Sequence, residues 1–242
     1  MNILAIGNSF SRDATRYLHQ IARKDKYPVS IANLYIGGCS LETHFRNMMS
    51  GERKYLLDFN GQSTCFPTNI DDALLNRAWD VITVQQASKD SFCYETYQPY
   101  LDALVNHVRQ YCPKAKIVVH QTWAYENESD RLLKVAKYET SKAMTADIVT
   151  AYNQAAKDIK ACGIIPSGEL FEKLKEAGIS HMHRDTYHAS EGVGRYALAL
   201  LWYRMLSGKS VMENTFCDFD EEVSDEEIEI VRNTVEGFSP IF

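Results

Sequence analysis

Short apolar runs alternate along the chain with stretches in which apolar residues recur at helical spacing. Asn2–Ile6 is the first run and predicts a strand. After it Ala14, Tyr17, Leu18, Ile21 and Ala22 fall at i, i+3, i+4, i+7 and i+8, which is one face of a helix. Residues 29–36 predict a second strand and Val81–Val84 a third. The helix that follows shows Tyr97, Leu101, Leu104, Val105 and Val108 on one face. Residues 117–119 predict a fourth strand, and Met144, Ile148, Ala151, Ala155 and Ile159 mark a long helix. Ile164-Ile165 reads as a short fifth strand. A last core helix spans about residues 190–206, with Gly208 as its stop. Strands alternating with helices imply a parallel sheet covered on both faces. The expected fold is α/β: a three-layer α/β/α sandwich on a five-stranded parallel sheet, wound like flavodoxin.

Two segments exceed that repeat. Between about residues 43 and 80 the dipeptide Asn60-Gly61, a strong hairpin turn, separates Tyr55-Leu56-Leu57 from Cys65-Phe66. A short helix at 70–76 follows. This insertion is expected to lie over one end of the sheet and shape a pocket. Near the C-terminus Ser224-Asp225-Glu226-Glu227 has the form of a capping box and predicts an acidic surface helix at about 224–237. With no repeat, linker or low-complexity tract, residues 1–242 read as one domain.

Composition narrows the function classes. The 26 basic and 32 acidic residues leave a net charge of −6, without the basic footprint that nucleic-acid binding requires. The longest apolar runs, such as 196–203, are too short to cross ~30 Å of hydrocarbon, so no membrane span is expected. The first residues lack a positively charged n-region, and the chain as written is expected to be cytoplasmic unless a leader has been trimmed. Six scattered cysteines without a C-x-x-C pair read as reduced, mostly buried thiols.

Two motifs carry candidate chemistry. Gly7-Asn8-Ser9-Phe10-Ser11 sits where the first strand gives way to the first helix, at the sheet edge where α/β proteins bind ligands. Read alone, Ser9 is more readily a helix cap, with Gly7 making the turn. Asp185-Thr186-Tyr187-His188 precedes the last core helix. A serine nucleophile needs a base, and the base needs a partner to fix its tautomer; an Asp three residues before a His on a turn can orient the ring and leave its other nitrogen free. Each motif is weak alone, and together they point to a Ser-His-Asp site.

These residues resemble the SGNH (GDSL-type) hydrolase superfamily. Gly7-Asn8-Ser9-Phe10-Ser11 is similar to its first block, with Asn8 where Asp is usual and Phe10 where Leu is usual. Gly37-Gly38-Cys39-Ser40 is similar to the second, whose glycine supplies an oxyanion N–H, and Gly38 is the better match. Asp185-Thr186-Tyr187-His188 matches the last block. The third block departs: instead of G-x-N-D the chain has Val84-Gln85-Gln86-Ala87-Ser88, as in carbohydrate-esterase branches with a Gln-containing block. The resemblance implies a serine esterase acting on small acyl esters, including O-acetyl groups on carbohydrates, without a cofactor. Ser9, Asp185 and His188 would be the triad. The oxyanion hole would be the N–H groups of Ser9 and Gly38 with the Gln85 amide, Gln86 being second choice for that role. Asn8, Phe10, Gln86, Trp123 and Tyr187 are the expected substrate contacts.

Two alternatives stay open at this level. The altered third block also suits a non-catalytic carbohydrate- or ligand-binding protein that keeps the fold. The run His181-x-His183-x-Asp185-x-x-His188 contains ligand types that a metal-dependent hydrolase would use. Cys39 is a further nucleophile by residue type, though a small buried thiol is the commoner role. His19, His44, His107 and His120 have no motif support.

Overall fold

The computed structural model describes residues 1–242. Seven strands form one sheet: β1 (Asn2–Ile6), β2 (Ser30–Tyr35), β3 (Tyr55–Phe59), β4 (Gln62–Thr68), β5 (Val81–Val84), β6 (Lys116–Gln121) and β7 (Gly163–Pro166). Their spatial order is β4-β3-β2-β1-β5-β6-β7. The five predicted strands are present and mutually parallel. The expected count of five is nevertheless wrong, because β3 and β4 join the same sheet antiparallel at its edge. The hairpin at Asn60-Gly61 thus forms as predicted, but it widens the sheet instead of capping its end. A row of unpaired backbone groups on β2 explains the difference: the hairpin satisfies them.

Nine α-helices cover the two faces: α1 (Ser9–Thr15), α2 (Leu18–Lys24), α3 (Leu41–Ser50), α4 (Ile70–Leu75), α5 (Tyr100–Tyr111), α6 (Ser141–Asp158), α7 (Ser167–Glu176), α8 (Val193–Ser207) and α9 (Asp225–Glu236). Side chains alternate along each strand. Ile3 and Ala5 of β1 therefore meet α1, α2, α7, α8 and α9 in one core, while Leu4 and Ile6 meet α3, α4, α5 and α6 in the other. Helix α8 is apolar and buried over most of its circumference, Arg195 and Arg204 being its charged exceptions, as befits a central helix. Helix α9 starts at the predicted Ser224–Glu227 capping box. No helix is long and apolar enough to cross a membrane. All six cysteines are free, but only Cys39 and Cys112 are buried, fewer than expected.

The single helix expected over residues 14–22 is broken into α1 and α2 at Arg16-Tyr17. At this break the turn of the hairpin comes up against the helix backbone. Gly61 has φ +81°, and a Cβ built there would lie 2.0 Å from the Arg16 carbonyl oxygen. Gly61→Ala is expected to cost about 2 kcal/mol or more, since both the left-handed backbone and a collision with main chain oppose it. Chemical denaturation checks this, and a cost under about 0.5 kcal/mol would refute the tight approach.

Two histidines are sealed in the core. His44 of α3 stacks on Tyr55 and bonds its hydroxyl through Nδ1 at 2.9 Å; His120 lies at the end of β6. Burial pushes each ring down to about 3. An unfolded chain binds these protons near pH 6.5, so the unfolded state holds more protons between about 6.5 and 3, and stability falls as pH drops through that window. At pH 5 the loss is ~2 kcal/mol for each histidine. Urea midpoints at pH 7.5 and pH 5 should differ accordingly, and His44→Gln should flatten the slope by about one proton. An unchanged slope in that variant would contradict a neutral buried ring.

Candidate active site

Ser9 stands at the first position of α1, directly beyond the carboxyl end of β1. The chain runs from β1 to β2 on one side and later to β5 on the other, so β1 is the topological switch point, where crevices form in such sheets. The turn is tight. A Cβ at Gly7 would lie 2.3 Å from Ser11 Oγ and 2.8 Å from Gln85 Oε1, which leaves room for glycine alone. Asn8 caps α1: its Oδ1 accepts from Phe10 N–H at 2.9 Å, and its own N–H donates to Ser11 Oγ at 3.0 Å. The cap is therefore Asn8, which frees the Ser9 hydroxyl for chemistry.

His188 arrives from the loop before α8. Ser9 Oγ lies 2.8 Å from His188 Nε2, and His188 Nδ1 lies 2.7 Å from Asp185 Oδ2. Asp185 Oδ1 also accepts from the His188 backbone N–H at 2.9 Å. Burial acts to raise the Asp185 carboxyl, but these hydrogen bonds to the His188 ring and N–H outweigh it and hold the carboxyl below its usual range. The ionised acid then fixes a donor at Nδ1 and leaves Nε2 as acceptor for the serine proton. Thr186 adopts φ +73°, and its carbonyl accepts from Glu126 N–H at 2.8 Å, while Trp123 Nε1 donates to the Tyr187 carbonyl at 2.8 Å. Backbone contacts on both sides of the loop thus hold the histidine in place.

Above Ser9 opens a cavity of about 450 Å³, bordered by Asn8, Phe10, Gly38, Tyr187 and His188. Gly38 has φ +64°, and its N–H makes no hydrogen bond within the protein. Three expected contacts are corrected. Gln85 does not face the cavity: its Nε2 donates to Asn8 Oδ1 and its Oε1 meets His120 Nδ1, both at 2.8 Å. Gln86 is turned the other way, accepting from Leu41 and Ala87 N–H and donating to Thr96. Trp123 is fully buried beneath the floor, stacked on Phe10 at 4.1 Å. An amide in a protein interior is held by whichever partners desolvation leaves it, and here those are inside the core. His181, His183 and His188 do not converge: they meet Glu227, the Ala124 carbonyl and Asp185 respectively. No three His, Cys, Asp or Glu side chains gather as a metal would require. Cys39 is buried, with its thiol pushed up to about 12 by burial, which removes it as a nucleophile.

The cavity also holds residues that motif reading misses. Ser88, at the end of the third block, places its hydroxyl 3.2 Å from Tyr125 OH. Arg12, Lys89, Arg131, Arg184 and Arg195 surround the opening. Arg12 lies three residues after Ser9 on the same helix face, a spacing that could have indicated it; the other four come from loops and helices whose approach only the fold determines.

Residues 2–237 match the model of the family described as "Domain of unknown function (DUF4886)". A DUF4886 family protein from Bacteroides uniformis is 33% identical, with a TM-score of 0.88 over 98% of this chain and 93% of that one. A protein from Slackia heliotrinireducens, proposed as an SGNH hydrolase, superposes with a TM-score of 0.61 at 23% identity, over 84% of this chain and 97% of that one. An acetyl-xylooligosaccharide esterase from Geobacillus gives a TM-score of 0.50 at 12% identity, over 84% and 90% of the two chains. No curated protein sequence matches the chain. On this evidence the chain belongs to the DUF4886 family and has the fold of the SGNH hydrolases.

Proposed function

We propose that the protein is a serine esterase that removes a small acyl group, with O-acetylated carbohydrates as its substrate class. The observation that carries this reading is the continuous Ser9–His188–Asp185 hydrogen-bond line at the floor of an open cavity. His188 Nε2 takes the proton from Ser9 Oγ as the oxygen attacks the acyl carbon, and the carbonyl π bond opens to an oxyanion. Collapse of that intermediate expels the alcohol, which receives the same proton from His188. Water then attacks the acyl-enzyme with His188 again as base, and the acid leaves with Ser9 regenerated. Every proton and electron pair in this cycle is carried by the ester, water and these side chains.

The N–H groups of Ser9 and Gly38 supply two oxyanion donors. Because Gln85 is committed to Asn8 and His120, the third donor in this reading is the Ser88 hydroxyl, which borders the cavity. The size and partly polar lining of the cavity, together with the acetyl-xylooligosaccharide esterase among the fold relatives, support a sugar acetate over a long acyl chain.

Purified protein should cleave 4-nitrophenyl acetate and acetylated xylo-oligosaccharides. Ser9→Ala should abolish turnover, and Asp185→Asn should lower kcat by ~10²–10⁴ through loss of the productive tautomer. Full activity in Ser9→Ala would end the serine mechanism. Retained binding of acetylated sugars with no turnover in the unaltered protein would replace the esterase with a binding protein.

The two third-block residues separate by readout. Ser88→Ala should lower kcat by ~10²-fold with KM little changed. Gln85→Ala should instead lower stability by ~1–3 kcal/mol, since it strands His120 Nδ1 in the core, and leave kcat of the folded fraction within a few-fold. The reverse pattern would restore Gln85 as the oxyanion donor.

A further inference from the structure

The chain carries a net charge of −6, yet the residues bordering the catalytic cavity include five cations and no carboxylate. Three of the five are neutralised from behind. Arg12 forms a two-pronged pair with Asp58; Arg184 and Arg195 share Asp13, and Arg195 also pairs with Asp220 and Glu191. Lys89 reaches only Asp90, at 4.0 Å, and is mostly exposed. Arg131 differs from all of these. It has no carboxylate within ion-pair distance; its guanidinium lies 3.8 Å over the Tyr187 ring and 5.6 Å from that of Tyr125. One edge of its fork is turned toward the Tyr125 hydroxyl; an arginine held by its flat face keeps its remaining N–H groups free to take an oxyacid.

Its position says which part of a ligand it would meet. The Tyr187 ring that carries Arg131 is itself 3.9 Å from the His188 ring. Arg131 therefore stands on the His188 side of the cavity, where the leaving alcohol must lie if His188 is to protonate it. The residue opens the one-turn π-helix Arg131–Ala136, which Leu132 and Ala136 anchor in the core, so the cation is presented by a fixed element. π-Helical turns are rare and tend to occur at functional sites.

We infer that the site selects ligands bearing an anionic group, a carboxylate or sulfate, on the alcohol part, bound by the free edge of Arg131 with Lys89 adding long-range attraction. The terms ester and alcohol rest on the esterase reading above; the charge selection does not. A substrate of this class is an acetylated acidic sugar.

Three aryl acetates of similar shape test it: 4-acetoxybenzoate, 4-acetoxybenzenesulfonate and the neutral 4-acetoxybenzamide. Binding is read by NMR titration on Ser9→Ala protein, and turnover separately on the unaltered protein. At low salt at least one anionic ester should bind roughly tenfold or more tightly than the amide, and the benzoate-to-sulfonate order then identifies the oxyacid. Adding Arg131→Gln should collapse that ratio, raised salt should shrink it, and Lys134→Gln, an exposed residue on the same turn, should leave it intact. Equal binding of the amide and both anions overturns the inference, as does a ratio that survives Arg131→Gln. The esterase reading fails independently, if none of the three is turned over by the unaltered protein while the charge preference persists.

Discussion

The position of the candidate triad depends on one buried carboxylate. Ser9 and His188 are 179 residues apart in sequence, and nothing local brings them to 2.8 Å. Asp13, one turn after Ser9 on α1, accepts from Arg184 at 3.0 Å and from Arg195 at 2.9 Å. Arg184 immediately precedes Asp185 in the loop, and Arg195 lies in the first turn of α8. One acid therefore ties the helix of Ser9 to both ends of the segment that carries His188. Asp13 is fully buried, and burial works against the Arg195 charge, but Asp13 beside it more than restores that charge and holds the guanidinium above its usual range. Breaking such a set from one side leaves unpaired charge in a poor solvent, which typically costs about 3–5 kcal/mol. The geometry of the site is thus coupled to the stability of the fold.

A second buried network fixes the other side of Ser9. Ser167 Oγ meets His120 Nε2 at 3.1 Å, His120 Nδ1 meets Gln85 Oε1, and Gln85 Nε2 donates to the Asn8 cap. The chain runs through the tops of β6 and β5 into the N-terminus of α1. In it Gln85 does the work of a spacer: one more methylene than Asn lets its amide span from His120 to Asn8, and a shorter side chain would leave a polar gap. This accounts physically for a glutamine at the third block. The extra reach is spent on holding the cap, and the cavity is left to Ser88.

How much of this was legible in the sequence varies with the range of the interaction. The five parallel strands, α5, α6, α8, the hairpin turn and the α9 capping box all come from spacing and turn residues, which are local. Ser9, Asp185 and His188 were legible because their cues are local: Ser9 sits at a strand-to-helix junction, and Asp185 lies three residues before His188 on one turn. The destinations of Gln85, Gln86 and Trp123 were not, because an amide or indole at a strand end has several possible partners and tertiary packing chooses among them. The same is true of β3 and β4. Asn60-Gly61 announces a hairpin, but whether it joins the edge of β2 depends on register across the sheet and on Asp58 reaching Arg12 and Asn33. Helices α3 and α7 also escaped, because each is short and presents a narrow apolar face to an otherwise covered sheet.

Both networks meet on α1, a helix of seven residues, too short to hold together by its own hydrogen bonds. Successive positions are claimed from different directions. Asn8 is held by Gln85 and by the Cys39 carbonyl, Ser11 by Asn33, Arg12 by Asp58 and Tyr35, and Asp13 by the arginines of the base loop. The edge hairpin, the second-block loop, the third block and the loop before α8 therefore all act on Ser9 through one element. Such a helix is stable only with its partners in place, so the orientation of Ser9 depends on contacts drawn from across the fold. This also explains why an edge hairpin that never touches Ser9 belongs to the site: Asp58 reaches back to neutralise Arg12, and without that pairing another free cation would stand beside the serine. The cavity's charge is thus set by which arginines the scaffold consumes, and Arg131 is the arginine it leaves without a carboxylate.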